Sequence, residues 1–241
     1  AEREAMIREL ERSNQELGQF AHVASHDLKS PLRDIAHLAE WIDEDLEDAP
    51  ESVRDDLRTL RQRTQRMDRL LTDLLAYARA GRRPGRVVEF VVCEAIEAAI
   101  ELVPLPPGFS VETEGELDAR LRTPRTPLET VLRNLVANAV KHHDRDAGTI
   151  AIRVDPAGAD RLRFTVCDDG PGIPQQYHDK LFEMFETLRP RDEVEGSGVG
   201  LALCRRLVEA MGGTIGVESG DSRGSTFAFT WPRTWRESEH P

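Results

Sequence analysis

Glycine and proline are spread too unevenly for this chain to be one uniform fold. Residues 1–80 hold a single glycine, Gly18, and two prolines, Pro31 and Pro50, out of 17 glycines and 14 prolines in 241 residues. A stretch so poor in both, and rich in Glu, Arg, Leu and Ala, reads as helical throughout. Ile7, Leu10, Asn14, Leu17, Ala21, Ala24 and Leu28 alternate spacings of three and four, which makes a heptad seam with a polar, register-fixing Asn14. Pro31 interrupts the pattern and predicts a bend. After the turn EDLEDAPES a second seam follows: Val53, Leu57, Leu60, Thr64, Met67, Leu71, Leu74 and Ala78. Two long amphipathic helices with a short connection form an antiparallel hairpin. One hairpin cannot cover its own apolar stripe, so a homodimer closing a dimeric four-helix bundle is expected.

Residues 81–86 form a Gly/Pro-punctuated linker, and the pattern changes beyond it. FVVCEAIEAAIELV reads as a strand end entering a helix, and FSVETE as a short strand. Thr126, Pro127 and Glu129 resemble a capping box, with Thr126 as N-cap of a helix running to about His142. TIAIRVD and RLRFTVCDD, separated by Asp-Pro-Ala-Gly, predict a hairpin. A last helix from about Val199 to Met211 stops at Gly212-Gly213, and TIGVES and STFAFTW give two more strands. The expected organisation is a helical domain over 1–80 and an α/β sandwich over 87–234, with a tail at 235–241. In that sandwich, helices cover one face of a mixed sheet.

The formal net charge of −12 argues against a nucleic-acid partner, which needs clustered Lys and Arg. Cys93, Cys167 and Cys204 are widely spaced and form no CxxC pair, which fits buried free thiols in a reducing cytoplasm. No apolar run approaches the roughly 20 residues that span a bilayer. The chain opens in mid-helix, so an upstream sensor module, with any membrane anchor, is expected to precede it.

Four clusters carry chemistry. SHDLKSPL puts His26 beside Asp27 on the first helix, at a position facing away from the seam. A neutral imidazole has a free lone pair, and a neighbouring carboxylate fixes its tautomer. Ser30 lies one turn on. Next, Asn134, Asn138 and Lys141 share one helical face; amide oxygens suit a hard Mg²⁺ ion and a lysine suits phosphate. Third, Asp168-Asp169-Gly170-Pro171-Gly172-Ile173 follows a strand, where one carboxylate can accept the adenine amino hydrogens. Fourth, Gly196-Ser197-Gly198-Val199-Gly200-Leu201 opens a helix and offers an anion cradle. The charged stretch before it, ETLRPRDEVE, reads as a lid from which Arg189 or Arg191 reaches the γ-phosphate. Taken singly, each pattern also fits an ordinary surface helix, turn or solvated arginine pair.

Their order is more specific. Across nearly all of its length the chain closely resembles the sensor histidine kinases of two-component signalling. SHDLKSPL resembles the family's H-box, in wording closest to phytochrome-like kinases, RNLVANAVKHH its N-box, and VCDDGPGI its G1-box. LFEMFETL resembles the F-box, GSGVGLAL the G2-box, and Gly224-Ser-Thr226-Phe the G3 element. The resemblance implies a gyrase-like ATPase fold after a phosphotransfer domain. It implies His26 as phosphoacceptor, Asp27 as its acid/base partner, and Asn138 as the Mg²⁺ ligand with Asn134 beside it. Lys141 would meet phosphate, His142 stack on the base, and Asp168 read adenine. Phe182 and Phe185 would seat the lid, and Thr226 would border the nucleotide. ATP/ADP and Mg²⁺ are the implied cofactors, and a response-regulator receiver domain the implied partner. Asp169 stands where many members carry Asn, and Ser30 where many carry Thr or Asn. Rival readings are another ATPase of the same nucleotide fold, and a dimeric scaffold that binds nucleotide without transferring phosphate.

Overall fold

The computed structural model describes residues 28–45, 50–80, 85–186, 197–219 and 223–235. The chain divides into two compact units, Ala1–Arg79 with Glu195–Val199, and Ala80–Val194 with Gly200–Pro241.

In the first unit, helix α1 covers residues 28–45 and runs through Pro31, and helix α2 spans Glu51–Arg79. Two cross-links fix their sense. Arg61 Nη2 meets Asp43 Oδ2 at 2.6 Å, and Lys29 Nζ donates to Thr72 Oγ1 at 2.7 Å. As the α1 position moves back from 43 to 29, the α2 position moves forward, so the helices are antiparallel. Leu32 and Ala39 on α1, and Leu57 and Thr64 on α2, are buried seven residues apart. Thr64 avoids an orphaned hydroxyl by donating to the Leu60 carbonyl at 2.8 Å. Of the other seam residues, Leu60 and Met67 remain exposed, as do Leu28, Ile35, Leu38 and Ile42 on α1.

The second unit alternates strand and helix: β1 Val87–Val91, α3 Val92–Glu101, β2 Phe109–Gly115, β3 Arg120–Pro124, α4 Arg125–Lys141, β4 Gly148–Pro156, β5 Arg161–Asp168, α5 Gly200–Ala210, β6 Ile215–Glu218 and β7 Ser225–Pro232. A five-stranded sheet has the order β2-β4-β5-β7-β6. Within this sheet β2 and β4 run parallel and the other neighbours antiparallel, including the expected β4–β5 hairpin. β1 and β3 form a separate antiparallel pair. The chain after β7 extends this pair: Arg122 N–H donates to Arg233 O, and Trp235 N–H to Arg122 O. Trp235, placed in the tail by its sequence, is therefore hydrogen-bonded into the fold.

Alternation decides the sheet's inner face. Ile150, Ile152 and Val154 on β4, Leu162, Phe164 and Val166 on β5, and Phe227, Phe229 and Trp231 on β7 are all buried. Helix α4 closes over them with Leu128, Val131, Leu132, Leu135 and Val136. Phe164 and Phe229 stack with centroids 5.0 Å apart. Burying each such side chain contributes about 1.5–3 kcal/mol. Trp231 satisfies its indole N–H on Thr123 Oγ1 at 3.2 Å, which explains a fully buried threonine.

The capping box expected at Thr126 is not formed. Helix α4 begins earlier, with Pro124 in the cap position and no side-chain cap bond. Strand β3 runs straight into the helix, so Thr126 already lies in the first turn. Glu129 takes Arg125 Nε at 2.6 Å instead of reaching back.

Candidate nucleotide site

Asn134 and Asn138 sit one turn apart on the rim of α4, half-buried beside its core-facing stripe. Asn134 Nδ2 donates to the Thr130 carbonyl at 2.8 Å. That bond fixes the amide and leaves Oδ1 without a hydrogen bond among the described residues. A Cβ built on Gly200, the first residue of α5, would lie 3.0 Å from this Oδ1. The start of α5 and the Asn134 acceptor therefore adjoin. The opening N–H groups of an α-helix lack partners within the helix and attract anions. Asn138 makes no side-chain hydrogen bond among the described residues, and its carbonyl backbone accepts His142 N–H at 3.0 Å. One amide oxygen beside a helix N-terminus, with a second one turn along the same helix, is a donor set that fits a hard cation such as Mg²⁺. Lys141 closes the helix, and half-buried His142 is its C-cap.

Asp168 ends β5. Its Oδ1 accepts Gly170 N–H at 3.0 Å and Ser225 N–H at 3.3 Å. Burial pushes its carboxyl above the usual aspartate value, against those two hydrogen bonds. After it, Ile173 N–H donates to Ser219 Oγ at 2.9 Å, and Ser219 donates on to Gly224 O at 3.0 Å. Gly172 has a φ of 80°, and a Cβ there would meet Ser219 Oγ at 3.0 Å. The loop Gly170–Ile173 is thereby clamped to the turn before β7.

Asp169 performs a different task from its neighbour. Its Oδ1 accepts Thr149 N–H at 2.9 Å and lies 3.0 Å from His143 Nε2. The Thr149 bond, chiefly, holds its carboxyl below the ordinary value. The acidic residue found in place of a common Asn is thus a structural acceptor for the start of β4.

Phe182 is buried; Arg205 of α5 lies over its ring at 4.5 Å, and the ring meets Phe227 edge-on. Phe185 is exposed with a φ of 68°, a left-handed backbone that a bulky side chain adopts only under strain. Gly198 has a φ of 70°, and Ser197 Oγ accepts Val199 N–H at 3.2 Å just ahead of α5. Leu201 lies half-buried in the first turn of α5.

Thr226 departs from its expected place. In the β5–β7 register Thr226 faces Cys167, and Thr226 Oγ1 lies 3.3 Å from Cys167 Sγ. Both occupy the sheet face opposite Phe227 and Phe229. Ser225, paired with Asp168 and buried, is the residue beside the site. Its phase was available in the sequence, because Phe227, Phe229 and Trp231 set the inward positions.

His26, Asp27, Arg189, Arg191 and Gly196 lie outside the described residues. Ser30 is exposed on α1. No group of three or more His, Cys, Asp or Glu side chains that would hold a metal occurs among the described residues. No described helix is long and apolar enough to cross a membrane.

Comparison with known proteins agrees with both units. Residues 16–83, which include His26, match the His Kinase A (phospho-acceptor) domain. Residues 123–234 match the histidine kinase-, DNA gyrase B- and HSP90-like ATPases. The chain is 34% identical to cyanobacterial phytochrome A of Nostoc sp. over 249 aligned positions, covering 97% of this chain but 31% of that protein. It thus spans about a third of the length of the cyanobacterial phytochromes it matches. Among solved structures, full-length ShkA with AMPPNP superposes with a TM-score of 0.68 at 24% identity, over 91% of this chain and 47% of that one. Histidine kinase ThkA in complex with response regulator protein TrrA gives 0.60 at 24%, over 94% of this chain and 66% of that one. A helical hairpin with the phosphoacceptor match, followed by an ATPase sheet whose Asn, Asp and glycine elements come in the family order, places this chain among the sensor histidine kinases.

Proposed function

We propose that this chain binds Mg-ATP in its second unit, transfers the γ-phosphoryl group to a ring nitrogen of His26, and passes it to an aspartate of a response regulator. The observation that carries this reading is Asn134 beside the start of α5, with Asn138 one turn along the same helix and half-buried Asp168 held by two backbone N–H groups. One end suits phosphates and their metal, and the other suits a base with an amino group.

In this reading Asn138 Oδ1 is the metal ligand, and Asn134, fixed by Thr130, lines the same side. The metal supplies charge neutralisation along the phosphates. Lys141 adds a point charge, and the N-terminus of α5 receives phosphate oxygens. Asp168 accepts from the adenine amino group, and Gly170 and Gly172 let backbone approach the base. Gly196, Gly198 and Leu201 border the phosphates, while Phe182, Phe185 and a lid arginine, Arg189 or Arg191, close over them. Asp27 holds the His26 tautomer. Ser30, one turn on, stands where water or the regulator's phosphoryl group would be met, so phosphatase activity towards the same regulator belongs to the reading. A cytoplasmic location fits an ATP-dependent enzyme with free thiols at Cys93, Cys167 and Cys204.

The active species is a homodimer. Helical geometry turns Leu28, Ile35 and Ile42 of α1, and Leu60 and Met67 of α2, to the same side of the hairpin, where all five are exposed. A second hairpin laid on that side completes four helices.

The test is incubation of the purified chain with γ-labelled ATP and Mg²⁺, alongside sedimentation. Acid-labile, base-stable label on a dimer is expected, and Ile35→Glu with Ile42→Glu should give a monomer. Nucleotide binding without label would support a scaffold instead. No nucleotide binding would refute the reading.

A further inference from the structure

The buried His143 and the ion pair of Arg223 with Asp144 belong to none of the roles above, yet they meet around Asp168. Three loops converge there: residues 142–147 after α4, 169–174 after β5, and the turn into β7. Arg223 ties the third loop to the other two. Its guanidinium is bidentate on Asp144, Nη1 to Oδ2 at 3.0 Å and Nη2 to Oδ1 at 2.6 Å, and Nη2 also reaches the Asp169 carbonyl at 3.3 Å. The His143 ring, 1% exposed, packs edge-on against Phe109 at 5.2 Å. Its Nδ1 lies 3.1 Å from Arg145 N and 3.2 Å from Arg145 O, and its Nε2 lies 3.0 Å from Asp169 Oδ1. Gly224 N–H then donates to Gly170 O at 2.8 Å.

The Arg223–Asp144 pair is partly solvated, with side chains 42% and 34% exposed. Such a pair adds little to global stability. Its fork geometry does fix position, because a guanidinium and a carboxylate meet bidentately in one plane. Asp168 receives Ser225 N–H from the residue two places after Arg223, so the turn that Arg223 anchors also sets the Asp168 carboxylate.

We propose that Arg223 and Asp144, through His143 and Asp169, are positioning residues for base recognition: they hold the Asp168 carboxylate against the amino group of the purine. The inference rests on the nucleotide reading above. It predicts a cost confined to nucleotides that carry that amino group.

Autophosphorylation rates against concentration of ATP and of inosine triphosphate, which lacks the amino group, test it in the full chain. Wild type should prefer ATP. Arg223→Ala and Asp144→Asn should each raise KM for ATP about tenfold, the scale of one charge-assisted hydrogen bond. Both should leave kcat and the KM for inosine triphosphate within about twofold. Arg223→Lys, which keeps the charge but not the fork, should recover only part of the loss. The double variant should be no worse than either single one, because the two act as a unit. Thermal melting shows that each variant is folded. Equal losses for both nucleotides, or no loss for ATP, would overturn the inference while leaving the kinase reading standing. A wild type that binds no nucleotide would sink both.

Discussion

Asp168→Asn is expected to weaken ATP binding about 100-fold, roughly 3 kcal/mol, and to leave the free domain at least as stable as wild type. The two effects have opposite signs for one reason. Asp168 is kept ionised in a place where burial favours its neutral form, so its folded-state pKa lies above the ordinary 3.8. The folded protein therefore binds this proton more tightly than the unfolded chain does. Stability falls as pH rises through the interval between the two pKa values, and the deficit persists at neutral pH. Asparagine is neutral and nearly isosteric, and its Oδ1 still accepts Gly170 and Ser225 N–H. It relieves the deficit, but it presents an N–H where the base needs an acceptor. Calorimetric titration with ATP and melting at pH 7 check both halves, and the melting advantage should shrink as pH is lowered towards 3.8. A variant that melts well below wild type would make Asp168 a structural residue and take away its assigned role.

Gly224→Ala carries a large expected effect on folding. Gly224 has a φ of 97°, and a Cβ there would lie 2.2 Å from the Asp168 carbonyl oxygen. The Cβ is fixed rigidly to the main chain and the oxygen it meets is backbone, so neither can swing aside. The left-handed conformation alone costs an alanine about 1–2 kcal/mol. Relieving the clash requires the turn to leave Asp168, which breaks the Gly224–Gly170 bond and the start of the β5–β7 register. A loss of about 3 kcal/mol or more is expected, roughly a 10 °C drop in Tm for a domain of this size. ATP binding should fall with it. Gly216→Ala is the control, since a Cβ there meets nothing within 4 Å. Equal melting of the two variants would contradict this account of the turn.

What the sequence made legible follows its short-range periodicities. The seam on α2 marks an apolar stripe correctly, and Leu57 and Thr64 are buried as a seam requires. Periodicity cannot say which half of the stripe meets α1 and which stays exposed, so Leu60 and Met67 looked like the rest. Asn134 and Asn138 were readable because a spacing of four is a property of one helix. The helix start was misplaced at Thr126 because β3 is made by pairing with β1, some thirty residues away in sequence, and LRTPRTP by itself reads as a loop ahead of a helix. Reading G-S-T-F as a motif selected Thr226, whereas counting alternate residues back from Trp231 selects Ser225. The contacts of Asp169 with Thr149 and His143 span 20 and 26 residues, and no local pattern announces them.

The central claim is that the ATP-binding unit phosphorylates one imidazole of the helical unit. Its most direct test is mapping the phosphoryl group after the chain is incubated with Mg-ATP under conditions that spare phosphohistidine. The account predicts modification at His26, and its complete loss in His26→Gln with ATP affinity unchanged. Label that survives in His26→Gln, or that maps to another side chain, would contradict it.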